Sequence, residues 1–95
     1  MIYLDNSATT KVHDDVLASF IQVNNQYYGN AASIHAMGVE SNDLLMRART
    51  QVAQLVYAEP EHIIFTSGGT ESNNFAFYGV AAASKHKGRH VITTA

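Results

Sequence analysis

Apolar residues recur at helical spacing in three stretches of the chain, with short uninterrupted apolar runs between them. Val12, Val16, Leu17, Phe20, Ile21 and Tyr27 fall on one face, which predicts a helix over residues 13–27. Asp14 and Asp15 lie where the positive end of the amide dipoles favours carboxylates, and Asn24, Asn25, Gly29 and Asn30 end the pattern, Gly29 as a left-handed stop. A second helical pattern runs from Ser33 to Tyr57 through Met37, Leu44, Leu45, Ala48, Val52, Leu55 and Val56, densest over Leu44–Val56. Glu59-Pro60-Glu61 breaks it, because proline cannot continue a helix. Ile63-Ile64-Phe65-Thr66 is β-branched and aromatic and reads as a strand, Ser67-Gly68-Gly69-Thr70 as a turn, and Glu71 to His86 as a third helix closed by Lys87-Gly88. Arg89–Thr94 reads as a second strand, and Ile2-Tyr3-Leu4 as a short β-prone piece stopped by Asp5-Asn6-Ser7. Strand, turn, helix and strand in succession predict a βαβ unit, hence an α/β fold with a parallel sheet.

Length and charge change this picture. For 95 residues, surface scaling gives about 15,000 Å² unfolded and about 5,400 Å² folded, enough for one modest core. Hydrophobic residues are 46%, a globular proportion, but charged residues are only 15%, against about 25% in a typical soluble domain. A small domain has a large relative surface, so low charge points to surface hidden against something else. One βαβ unit cannot cover both faces of a parallel sheet, and the chain stops at Ala95, in or just after a strand. Both features lead us to expect a truncated piece of a larger α/β protein; a small complete α+β domain is the other possibility. The net charge of -2 leaves no basic excess for nucleic acid or anionic membrane. Cysteine is absent, which removes disulfides and thiol nucleophiles from these residues and fits a reducing compartment. The longest apolar run, Val80 to Ala83, is far from a membrane span, and the amino terminus lacks a signal-peptide pattern; a cytoplasmic protein is expected.

Candidate chemistry concentrates in Phe65-Thr66-Ser67-Gly68-Gly69-Thr70-Glu71-Ser72-Asn73-Asn74. It leads a strand into a helix through two glycines, and free N–H groups in a first helical turn bind anions, phosphate above all. Thr70 and Ser72 add hydroxyl donors at the mouth. The alternative is purely structural: Ser67 or Thr70 caps the helix and the glycines make a tight turn. No lysine follows the glycines, as a nucleoside-triphosphate loop needs, and the Gly-x-Gly-x-x-Gly dinucleotide pattern is missing, so a small phosphate-bearing cofactor suits the turn better than ATP or NAD. His13, His35, His62, His86 and His90 have no metal-ligand spacing, so no metal site is expected. His35 lies in a small-residue polar loop, Gly29–His35, that could line a cleft or simply start a helix. Glu71 reads first as a structural carboxylate at a helix start, Tyr27-Tyr28 as core or interface, and Lys85, Lys87 and Arg89 as solvated charges near a helix end.

Three segments together resemble the amino-terminal quarter of the cysteine desulfurase family, within the class V aminotransferase group of pyridoxal-phosphate enzymes. They are Tyr3–Thr10, Gly29–His35 and Ile64–Asn74, and Arg47-Ala48-Arg49 with Val52–Leu55 resembles the family's second helix. The likeness runs through essentially the whole chain. It implies the start of a large domain with a mostly parallel sheet between helices (residues 12–95), its two strands not necessarily neighbours, and an amino-terminal segment (1–11) associated with a smaller domain. It implies pyridoxal 5'-phosphate as cofactor, with Gly69 and Thr70 holding its phosphate. The Asn6–Thr9 loop, Ala8 included, would lie close to the substrate amino acid, and the Asn30–His35 loop near the active-site entrance, so that Asn6, Ala8, Thr9, Asn30 and His35 are candidate substrate-binding residues. One departure is visible: the family's proline after the asparagine is Ala31 here, which loosens that loop.

The same resemblance implies a homodimer that converts L-cysteine to L-alanine and passes enzyme-bound persulfide sulfur to an acceptor protein for iron–sulfur clusters or tRNA thiolation. The lysine, histidine, aspartate and cysteine of that reaction would all follow Ala95; Lys11, Lys85 and Lys87 match no such position, so no catalytic residue is expected within these residues and the fragment alone should be inactive. Two alternatives remain: another class V enzyme, such as a small-amino-acid aminotransferase or a selenocysteine lyase, and a small non-enzymatic module.

Overall fold

A computed structural model describes residues 1–94. The elements are α1 (Asp14–Gln26), α2 (Ala36–Leu55), a single 3-10 turn (Pro60–His62) and α3 (Gly69–Ala83). All three helices coincide with the three apolar periodicities, with boundaries moved by one to three residues. The chain divides into two units, Met1–His62 and Ile63 onward.

In the first unit the helices begin on imidazoles. His13 Nδ1 accepts the Asp15 N–H at 3.3 Å and His35 Nδ1 accepts the Gly38 N–H at 3.3 Å, so a neutral ring acceptor does the work usually done by Ser, Thr, Asp or Asn. Asp14 and Asp15 occupy the first turn of α1, as anticipated. Its end differs from the expected one: Tyr27 is the C-cap, and Gly29 is not left-handed. Gly29 is needed for closeness instead. A Cβ there would stand 2.5 Å from the Met37 carbonyl oxygen, and one on Gly38 would stand 2.2 Å from that of Ser33 and 2.8 Å from that of Asn30. Two glycines therefore let the loop lie directly on the first turn of α2. Ser41, buried, closes the junction by donating its hydroxyl to the Tyr27 carbonyl at 3.1 Å.

α2 ends in a Schellman arrangement: the Ala58 N–H donates to the Ala53 carbonyl (3.0 Å) and the Tyr57 N–H to the Gln54 carbonyl (3.4 Å). The left-handed residue this requires is Tyr57, at φ 54°, where glycine would carry no steric cost. The 3-10 turn packs back on α2.

In the second unit α3 stops at Ala83 with Ser84 as C-cap, three residues before His86. The basic residues therefore lie beyond the helix, none in its last turn. No strand forms among the described residues: Ile63–Thr66, Arg89–Thr94 and Ile2–Leu4 carry no ladder, so the βαβ unit and its parallel sheet are not made by these residues. The reason is physical. A parallel strand exists only through hydrogen bonds to a neighbour, and these runs do not pair with each other among the described residues.

Nor does the one modest core form. Ala53 is the sole buried hydrophobic residue among those described, while Phe20, Phe75, Tyr78 and Val80 are more than half exposed. Helix periodicity without a core leaves large apolar side chains of α1 and α3 exposed among the described residues. No helix among the described residues is long and apolar enough to cross a membrane.

Candidate functional site

The start of α3 is built from the turn Thr66–Ser72. Gly68 is the N-cap; it lies in extended backbone and brings no side chain to the cap, so neither Ser67 nor Thr70 caps the helix. The Gly68 carbonyl is held from several sides: it accepts the Ser72 N–H at 3.1 Å, and the Ser72 and Thr66 hydroxyls lie 3.1 and 3.3 Å from it. The Thr66 and Ser72 hydroxyls also lie 2.6 Å apart, so one of them donates to the other and the second donates to the Gly68 carbonyl. Ser72 is thus committed to the turn and is not the free donor at the mouth that its position suggested.

On the other side of the glycines, the Glu71 carboxylate reaches back to Ser67. Its Oε2 accepts the Ser67 N–H at 2.8 Å and the Ser67 hydroxyl as well. This is a capping box moved one residue outward, with the carboxylate tying the residue before the N-cap. The Ser67 hydroxyl, and secondly its N–H, hold the Glu71 carboxyl below the ordinary carboxylate range, against a small opposing effect of desolvation.

The donors left over are the N–H groups of Gly69, Thr70 and Glu71 and the Thr70 hydroxyl, which have no partner among the described residues. A Cβ built on Gly68 or Gly69 meets nothing within 4 Å, so the approach to these donors is open. Unsatisfied N–H groups, the positive end of the α3 dipole and one hydroxyl make an arrangement suited to an oxyanion with several acceptor oxygens.

Gly69 and Thr70 belong to the second unit and the other five candidates to the first. Around Asp5–Thr10 the chain turns on itself. The Ala8 and Thr9 N–H groups donate to the Asp5 carbonyl at 3.1 and 3.3 Å, Asn6 Oδ1 accepts the Thr10 hydroxyl at 2.9 Å, and the Tyr3 hydroxyl lies 3.0 Å from the carbonyls of Asp5 and Thr9. The second loop is likewise closed: Asn30 Oδ1 accepts the Ala32 N–H and its carbonyl the Ser33 N–H, both at 2.9 Å, and His35 caps α2. No hydrogen bond joins the two loops among the described residues. Tyr27 and Tyr28 are exposed. Sequence reasoning overlooked Thr66 and the bond between Ser67 and Glu71 as turn-holding groups; it had Glu71 as a structural carboxylate and His35 as a possible helix-start residue, without the partner each takes. The spacing of Ser67 and Glu71 was a usable signal for one of them; histidine at a helix start carries almost none.

The Aminotransferase class-V family model matches residues 2–95. Among curated proteins, the chain is 47% identical over 94 residues to a NifS/IcsS protein homolog of Lactobacillus delbrueckii subsp. bulgaricus, covering 99% of this chain and 24% of that protein. It is 48% identical over 94 residues to Cysteine desulfurase 2 of Trichormus variabilis (99% of this chain, 23% of that protein) and 48% identical over 94 residues to a cysteine desulfurase of Homo sapiens (98% and 21%). The chain therefore spans about a quarter of the length of these relatives. No solved structure matches it.

Proposed function

The chain belongs to the class-V aminotransferase family, and from that footing we propose that it carries the cofactor-phosphate turn of a cysteine desulfurase of its relatives' full length. The observation that supports this is the open first turn of α3, with its N–H donors and the Thr70 hydroxyl unused.

Pyridoxal 5'-phosphate fits that turn. Its phosphate is a dianion with three terminal oxygens, and the turn offers a comparable number of donors, no lysine, and no Cβ over the glycines to block approach. When bound, the cofactor supplies an aldehyde for the amino group of L-cysteine and a ring that withdraws electrons from it. This chain's part is to hold and orient. The Gly69 N–H and the Thr70 N–H and hydroxyl donate to the phosphate oxygens. Asn6, Ala8 and Thr9 stand beside the substrate amino acid and Asn30 and His35 at the entrance, in loops whose own hydrogen bonds keep their shape. Residues 1–11 join the smaller domain and residues 12–95 open the large one.

The complete enzyme is a cytoplasmic homodimer, its interface among the surfaces that cover the bare faces of α1 and α3. It converts L-cysteine to L-alanine, and the sulfur leaves as a protein-bound persulfide for an iron–sulfur scaffold or a tRNA-thiolation enzyme. Purified full-length protein should release alanine from L-cysteine in step with persulfide formation. Amino-group transfer between small amino acids without persulfide would replace this reading with that of an aminotransferase. Turnover of selenocysteine but not cysteine would replace it with that of a selenocysteine lyase.

A further inference from the structure

We propose that Glu71 is a positioning residue for the phosphate turn: by bridging back to Ser67 across Gly68 and Gly69, it fixes the direction in which the Gly69 and Thr70 donors point. The inference rests on the reading of that turn as the cofactor-phosphate site.

Paired glycines are the most conformationally free backbone a chain can have, and these two receive no packing restraint, since a Cβ on either meets nothing within 4 Å. Order must come from the flanks. One flank is the Gly68 carbonyl, held by Thr66 and Ser72. This fixes the peptide after Gly68 but leaves the chain before it free to rotate. The other flank is Ser67, where one carboxylate oxygen of Glu71 takes both the N–H and the hydroxyl. With both flanks held, the glycine pair has one geometry, and the unused donors of the first turn are aimed before any ligand arrives. The negative charge of Glu71 would by itself repel a phosphate. Here it is engaged by two Ser67 donors, so the charge is turned toward the loop that the ligand needs ordered. This separates Glu71 from a simple dipole partner, which would favour helix formation without affecting the loop before it.

The separating experiment compares pyridoxal phosphate with pyridoxal, which lacks the phosphate, for binding to full-length protein carrying Glu71→Ala or Glu71→Gln. Glu71→Ala should weaken pyridoxal phosphate by about tenfold and leave pyridoxal unchanged, since preorganisation of the turn serves only the phosphate. Glu71→Gln keeps an acceptor for the Ser67 N–H and should stay within about threefold of the parent. If Glu71→Ala does not hold its fold, Ser67→Ala removes the hydroxyl alone and should lower the phosphate-specific affinity about threefold. Unchanged pyridoxal phosphate affinity in these variants, or equal weakening of both ligands, would overturn the role of Glu71. Failure of the phosphate reading itself would show differently: Thr70→Val, which removes a donor of the turn directly, would also leave pyridoxal phosphate affinity unchanged.

Discussion

Two glycine pairs stand in contrast within this chain. Gly29 and Gly38 are jammed against backbone, with Cβ positions 2.5 and 2.2 Å from carbonyl oxygens, whereas Gly68 and Gly69 face open space. Around the first pair almost every polar group is spent: Asn30, Ser33, His35 and Ser41 all close on neighbours. Around the second, the flanks are tied while the first helical turn keeps its donors free. The lesson is that glycine serves two ends, closeness in a structural junction and access at a binding turn. What a side chain would meet tells the two apart.

The sharpest way to break this contrast is an alanine at each kind of site. Gly38→Ala should cost about 3 kcal/mol of local stability, because the obstructing atoms are backbone and cannot swing aside. Hydrogen exchange at the Ser33 and Gly38 amides would report it. Gly68→Ala should move stability by no more than about 0.5 kcal/mol. Equal costs at the two positions would remove the distinction. Next in size, Thr70→Val should weaken retention of pyridoxal phosphate by about 1–3 kcal/mol, the cost of leaving a charged oxygen short of a donor, read as a dissociation constant; an unchanged constant counts against Thr70. A third change lies outside both glycine pairs. Tyr57→Gly should stabilise the end of α2 by about 1 kcal/mol, since the left-handed position carries a side chain with no compensating burial, and the Ala58 amide should become better protected.

The smallest effect concerns pH. The Glu71 carboxyl titrates below its ordinary value because of Ser67. A group depressed on folding contributes stability that is present above its unfolded value and lost as pH falls through the folded one. The turn should therefore loosen only on acidification below the ordinary glutamate range, and Glu71→Gln should remove that dependence. An NMR titration of the Glu71 side chain checks the direction; a midpoint at or above the ordinary value would contradict the bridge.

The helices were legible because an apolar stripe at spacings of three and four residues persists whether or not anything packs on it. Val16, Leu17, Phe20 and Ile21 trace α1 although all four are exposed. Strands were not legible in the same way: Ile63–Phe65 has strand composition, but a strand is a relation between segments, and none of the described residues pairs with it. Helix ends depended on geometry that residue type does not reveal. Gly29 read as a left-handed stop, whereas the left-handed residue is Tyr57, and His13 and His35 took the capping role expected of shorter polar side chains. At the candidate site, Gly69 and Thr70 could be found because glycines between an apolar run and a helix expose N–H groups. The division of labour between Ser72, tied to Gly68, and Thr70, left free, needed coordinates.

The measurement closest to the central claim is the position of the phosphate in a crystal structure of the full-length holoenzyme. The account predicts its oxygens within hydrogen-bond distance of the Gly69 and Thr70 N–H groups and the Thr70 hydroxyl, with Glu71 still bonded to Ser67. A phosphate anchored on other residues, with the first turn of α3 left to water or closed by a side chain, would contradict it.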